Sequence, residues 1–368
     1  MQTSERKSLP EKIYPQLLAT YLNVVERTGF GVRVPISGPF AGADAIAKTA
    51  IAAESLGFDG VWCHDYITWT KELHNVHISC GSLETLRPDQ KPNFFESIST
   101  LAYLAGLTKR LTLGISVLIA PLRNPVLAAK QLSIIDNLSN GRLIAGVGIG
   151  ATRATKNVDF EILGVSRLEK NERTNELVEI LTGLWDHNLD KFSYTGKFFK
   201  FSDAEMFPKP IQKPRPPFWF AGTIEKALVR VAKYGEGWLP GGLSPEEYAK
   251  SVAFIKREAK EKFSRDLSHL KVANQIYVSI DTSPDKAKEN ARATLLNNSK
   301  AYDVFIGENA FERASDVSLV GSPKEIIEKI RRYGEAGVNY YEMKFIYQSM
   351  GHFREQLELF SKEVIPSF

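Results

Sequence analysis

The chain has 368 residues, 43% hydrophobic and 24% charged, the balance of an ordinary globular protein and long enough for one α/β barrel or two smaller domains. Its formal net charge of +4 is spread along the sequence with acids among the basic residues, so no nucleic-acid partner is implied. Two cysteines, Cys63 and Cys80, argue against a disulfide scaffold and for a reducing, cytoplasmic setting, and no apolar run approaches a leader or a membrane span.

In chain order, residues 1–29 read as an N-terminal extension and residues 30–365 as one domain. Gly31 to Ile36 is the first strand, Ala43 to Leu56 an alanine-rich helix, and Gly60 to His64 the second strand. Asp65 to Pro92 has no period and is too long for a passive connection, so it reads as a functional insertion. A helix over Asn93–Thr108 precedes a third strand, Leu111–Ile119, whose interior Gly114 points to a bulge or a close ligand approach. Helix Pro125–Leu138 leads to a fourth strand, Arg142–Gly148, and Arg173–Trp185 is a clean amphipathic helix. The stretch Asn188–Pro217, rich in aromatics, lysine and proline, reads as a second excursion with a hairpin near Thr195-Gly196.

Pro216 to Gly242 carries the plainest unit: apolar strand Phe218-Trp219-Phe220-Ala221, turn Gly222-Thr223, a helix with apolar residues from Ile224 to Ala232, Gly235, then strand Gly237–Pro240. A Gly-Thr pair between a strand end and a helix start is either an ordinary cap or an anion site, because the first helical N–H groups lack partners and the dipole favours negative charge. Helix Pro245–Phe263, strand Leu270–Ile280, helix Pro284–Asn298, helix Pro323–Tyr333, strand Tyr340–Ile346 and helix Phe353–Val364 complete the chain, with Ala301–Leu319 unassigned.

Four joints share one grammar, at Gly57, Gly141, Gly235 and Gly337, each read as a left-handed glycine cap between a helix and the next strand. Eight strands alternating with helices predict a (β/α)8 TIM barrel with long insertions after strands 2 and 4. The chemistry of that fold sits at the strand C-termini; a doubly wound open sheet is the structural alternative, weakened by the lack of a glycine fingerprint after strand one.

With these pieces in order, the chain resembles the bacterial-luciferase-like superfamily of flavin- and deazaflavin-dependent oxidoreductases. The resemblance is carried by Glu54-Ser55-Leu56-Gly57-Phe58-Asp59, Leu111–Val117, Pro121-Leu122-Arg123-Asn124-Pro125 and Leu138-Ser139-Asn140-Gly141-Arg142-Leu143 running into Gly146–Gly150. Pro208-Lys209-Pro210, Pro216–Trp219 and Gly235-Glu236-Gly237-Trp238 extend it. The resemblance implies cofactor contacts at Ser116 and Val117, joined by a non-proline cis peptide, at the glycine-rich turn Gly148, Gly150 and Thr152, and at the phosphate turn Ala221, Gly222 and Thr223. It places His64 and Asp65 beside the reactive ring edge. The order His-Asp, not Asp-His, and Ala151 in place of an acidic residue set the chain apart from deazaflavin-dependent sugar-phosphate dehydrogenases. Ile149 stands where bacterial luciferases hold the phosphate with an arginine, leaving Arg153 as a substitute.

His64 and Asp65 are therefore the catalytic candidates, although neighbours on a strand point to opposite faces and pair only if the strand has ended. Trp69, Phe94, Phe95 and Trp219 are candidates for an apolar substrate wall. Cys63, His74, His77 and Cys80 have ligand chemistry but no Cys-x2-Cys knuckle, so no metal is assigned. The expected activity is oxidation of a small organic substrate by reduced flavin mononucleotide (FMN), a monooxygenation fed by a separate reductase, in a homo-oligomer. Hydride transfer with coenzyme F420 is the alternative, its polyglutamate tail reached by Lys156, Lys197, Lys200 or Lys209. A barrel enzyme gripping a phosphorylated substrate without a redox cofactor, and a non-catalytic flavin-binding protein, are the readings of other classes.

Overall fold

The computed structural model describes residues 27–68, 93–150, 158–302, 305 and 307–368. Eight parallel strands carry the architecture: β1 (Gly29–Arg33), β2 (Gly60–Cys63), β3 (Thr112–Ile115), β4 (Leu143–Gly148), β5 (Phe218–Phe220), β6 (Gly237–Trp238), β7 (Lys271–Ile280) and β8 (Tyr340–Phe345). Each pairs with the next; β8 pairs with β1 and β4 with β5, so the sheet closes on itself. One helix follows each strand: α1 (Ala43–Ser55), α2 (Ser97–Leu107), α3 (Pro125–Leu138), α4 (Lys170–Trp185), α5 (Glu225–Tyr234), α6 (Pro245–Phe263), α7 (Pro323–Glu335) and α8 (Met350–Glu363). This is the (β/α)8 barrel that the alternation predicts.

Local chemistry accounts for the helix starts. Asn124 caps α3 through its side-chain oxygen, with Pro125 at the first position, where a missing N–H costs nothing. Ser244 with Glu247, and Ser322 with Glu325, form reciprocal capping boxes on α6 and α7. The ends follow the glycine grammar at three of the four joints, where Gly57, Gly141 and Gly337 have φ of 83°, 78° and 96°. Gly235 departs from it: φ is −84° and the backbone extended. What requires glycine there is space, since a Cβ would stand 3.0 Å from the Val231 carbonyl oxygen.

The hairpin expected near Thr195-Gly196 is present, Phe192–Thr195 against Lys200–Ala204, between α4 and β5. Its turn packs on α4, where the Glu176 carboxylate accepts from the backbone N–H groups of Lys197 (2.7 Å) and Phe199 (3.2 Å). The sequence reading differs after β7, where the expected helix Pro284–Asn298, observed over Pro284–Tyr302, belongs to an insertion with a second helix, Ala310–Asp316, and a strand, Leu319–Gly321, that pairs with the end of β7. Alanine and polar residues dominate it, so its period is too weak to mark a core.

The barrel interior is layered. Trp62, Ile144, Trp219, Leu239, Ala273 and Tyr340 form a buried plug. The rings of Trp62 and Trp219 lie 5.3 Å apart, those of Trp219 and Tyr340 5.1 Å, and Trp62 Nε1 donates to Tyr340 Oη at 3.0 Å. Gly114 belongs to this layer: a Cβ there would meet the Trp62 ring at 2.2 Å. The glycine makes room for a tryptophan, not for a ligand. Trp219, expected in a substrate wall, is 4% exposed inside the same plug, a correction that follows from strand register.

Candidate active site

Further along six of the strands, the inward-facing positions next above the plug layer change character. Trp62 gives way to His64, Gly114 to Ser116, Gly146 to Gly148, Trp219 to Ala221, Ala273 to Gln275, and Gly31 to Arg33. Alternation along a strand keeps these on the inner face, now at the C-terminal mouth. A cavity of about 550 Å³ opens there, lined by all six of these upper residues and within the size range of small-molecule sites.

One wall is backbone and glycine. β3 ends at a cis peptide between Ser116 and Val117, and the chain resumes as a short strand, Leu118–Ile119, pairing with the end of β4. Gly148 lies against Val117, where a Cβ would stand 2.3 Å from Val117 Cγ2. Beyond β5, Gly222 turns the chain at φ 107°, and a Cβ would sit 2.8 Å from Ala227, so only glycine lets α5 close on this turn. Val117, Gly150, Gly222 and Thr223 line the cavity, and the start of α5 completes the wall. Arg230, on α5, also reaches it: 6% exposed, it donates through Nε to Asn175 Oδ1 at 2.8 Å and has no carboxylate partner among the described residues. Burial lowers its pKa from the usual arginine value. Nothing in its helical setting distinguishes it in the sequence from a surface arginine.

The opposite wall carries charge. The Arg33 guanidinium grips the Glu342 carboxylate in a fork, Nε–Oε1 2.7 Å and Nη2–Oε2 2.9 Å, and donates to Ser116 Oγ at 3.0 Å. Gln275 Oε1 accepts from Arg33 Nη2 at 3.4 Å. Lys344, two residues past Glu342 on β8, lines the cavity with its ammonium 5.1 Å from the centre of the Tyr277 ring. Desolvation, reinforced by Arg33 and opposed by Glu342, pushes its pKa down to about 7.

His64 and Asp65 do not form a pair. His64 is 7% exposed, lines the cavity, and its Nε2 lies 3.0 Å from Ser37 Oγ. The Asp65 carboxylate is fully committed: it accepts from Ser97 Oγ (2.8 Å), Ile119 N (2.9 Å) and Arg123 Nη2 (2.5 Å). Burial pushes that carboxyl upward while Arg123 and the two other donors hold it down. Asp65 thus ties the start of α2 to the Pro121–Arg123 turn, and the reading of it as catalytic is corrected on that ground. Cys63 faces the outer core with its thiol pushed up by burial. Among the described residues no group of three or more His, Cys, Asp or Glu could hold a metal. Trp69, Thr152, Arg153, Lys156, His74, His77 and Cys80 lie outside the described residues.

Residues 28–340 match the family described as luciferase-like monooxygenase. The chain belongs to that family, whose members are flavin- or F420-dependent oxidoreductases. It is 26% identical over 300 residues to an FMNH2-dependent dimethylsulfone monooxygenase of Pseudomonas putida, covering 74% of this chain and 78% of that protein. It is 25% identical over 347 residues to an F420-dependent glucose-6-phosphate dehydrogenase of Amycolatopsis mediterranei, covering 87% and 93%. Among solved structures, an F420-dependent secondary alcohol dehydrogenase in complex with an F420-acetone adduct superposes with a TM-score of 0.72 at 21% identity, over 93% of this chain and 99% of that one.

Proposed function

We propose that the cavity binds reduced FMN and that the enzyme oxygenates a small organic molecule. The observation that carries the cofactor's placement is the glycine-and-backbone wall ending at Gly222, Thr223 and a buried Arg230 with no carboxylate partner among the described residues. A ribityl phosphate fits that chemistry: the Thr223 hydroxyl and the first N–H groups of α5 can donate to it, and Arg230 supplies the charge. Ser116, Val117, Gly148 and Gly150 present a surface with few side chains, suited to a flat tricyclic ring. Bound there, reduced flavin would supply the two electrons by which one atom of O2 enters the substrate and the other leaves as water.

This chain's residues orient and protonate. The Arg33–Glu342 fork holds Ser116 Oγ at the edge of the ring surface. His64 is the cavity's proton-holding group, its ring set by Ser37. The plug of Trp62, Trp219 and Tyr340 closes the barrel below the site.

FMN is preferred to F420 because two lysines assigned to the polyglutamate tail are engaged elsewhere. Lys197 pairs with Glu172 at 2.7 Å, and Lys209 donates to the carbonyls of Asp186 and Leu189 at the end of α4. F420 hydride transfer is the second reading, favoured by the longer reach of the dehydrogenase match. A separate reductase, a homo-oligomeric state and a cytoplasmic setting belong to this reading as expectations. Anaerobic titration with reduced FMN and reduced F420 tests it: tight FMN binding is expected, F420 binding without FMN selects the second reading, and binding of neither rejects both.

A further inference from the structure

Charge around the cavity is unevenly matched. Among the described residues four charged side chains line it: Arg33, Asp65, Arg230 and Lys344. Arg33 is neutralised by Glu342 and Asp65 by Arg123. Arg230 stands at the α5 end, where the cofactor's phosphate has been placed. Lys344 remains. It makes neither an ion pair nor a hydrogen bond with the described residues, and the charges that act on it are those of Arg33 and Glu342.

The strand order says where this ammonium lies relative to the ring surface. In the closed sequence of eight strands, β8 is four places from β4 and β7 four places from β3. Lys344 and Tyr277 therefore face the Val117–Gly148 surface across the mouth. Tyr277 is held in turn by Asn298, whose Nδ2 donates to its Oη at 2.9 Å, so the insertion after β7 braces the ring beside which the ammonium sits. This ammonium has lost solvation without gaining a counter-ion among the described residues, and a face-on aromatic ring replaces only part of it. A ligand anion would supply the rest.

We propose that Lys344 recognises the substrate, and that the substrate is a small organic anion bearing a carboxylate or sulfonate. This rests on the reading that the wall from β3 to β5 takes the cofactor, since the anion then lies between Lys344 and the exposed face of the ring. The substrate class differs from that named for the dimethylsulfone relative, which is uncharged. Lys344 acts by position and charge; no chemical step is assigned to it.

Isosteric pairs that differ in charge test this directly: methanesulfonate against dimethyl sulfone, and benzoate against benzamide. Each is titrated calorimetrically into protein loaded with whichever cofactor binds, and into cofactor-free protein. The anion of each pair is expected to bind about tenfold more tightly. Lys344→Met should erase that preference, Lys344→Arg should retain most of it, and the cofactor affinity of both variants should match the parent. Equal binding within each pair, or no binding of either member, overturns the proposal; so does a preference that survives Lys344→Met. Weakened cofactor binding in Lys344→Met would assign the residue to the cofactor instead. Failure of the parent protein to bind either cofactor, with the anion preference intact in the cofactor-free titration, would reject the cofactor reading alone.

Discussion

The two interior layers of this barrel are built by the same strands, two residues apart, and they solve opposite problems. The lower one fills space: three large aromatic rings meet, and glycines such as Gly114 yield to them. The upper one leaves space, and what lines it is arginine, histidine, serine, glutamine and lysine, with Glu342 behind. Close packing below fixes the strand positions within fractions of an ångström, and that rigidity is what lets the polar layer above hold an open cavity without collapsing.

The contrast is sharpest if each layer is damaged in turn. Trp62→Ala removes the centre of the plug and should lower the unfolding free energy by about 3–5 kcal/mol in a denaturant titration. A loss below about 1 kcal/mol would mean that the plug does not hold the barrel. Glu342→Ala leaves Arg33 in the wall without its counter-ion and should cost about 3 kcal/mol, the low end for a broken buried pair because the cavity admits water. Parental stability in that variant would show that the fork is dispensable.

Lys344 provides a pH test. Its pKa falls from 10.5 in an ordinary lysine to about 7 in the fold. Below pH 7 both states carry the proton and the folded state bears the full desolvation penalty. Between the two values the unfolded chain keeps a proton that the folded chain has released. Stability therefore rises with pH across that window, by at most about 1.4 kcal/mol per unit. Subtracting the curve of Lys344→Met from that of the parent between pH 7 and 9 isolates the slope, and parallel curves refute it. The smallest effect belongs to Thr223→Ala, expected to weaken cofactor binding by about 0.5–2 kcal/mol, with unchanged affinity placing the phosphate elsewhere.

How legible the molecule was from its sequence follows the same division. The β-strand and helix alternation was readable because period and glycine punctuation are local signals. The motifs that carried the resemblance do local work: the Glu54 carboxylate accepts from the backbone of Lys109 and Arg110, and Glu236 from Phe218. His64, Ser116, Val117, Gly148, Gly150, Ala221, Gly222 and Thr223, each singled out in the sequence, line one cavity. Arg33, Gln275, Glu342 and Lys344 were missed. A polar residue in an apolar strand faces either solvent or the barrel interior, and only the register of eight strands decides which. The same ambiguity misplaced Trp219, whose aromatic ring suits a pocket wall and a plug equally well.

The insertion after β7 has its own small core of Ala287, Ala291, Leu295, Phe311, Ala314, Val320 and Ile346, separate from the main one. Its alanines bury little apolar area each, so opening this unit costs far less than opening the barrel. Amide hydrogens in it are expected to exchange by local excursions and those of β1 and β8 by global unfolding. Leu295, Asn298, Ser299 and Ser318, part of the cavity's rim, ride on this softer unit. The rigid half of the site and its yielding half thus belong to different cooperative regions of one chain.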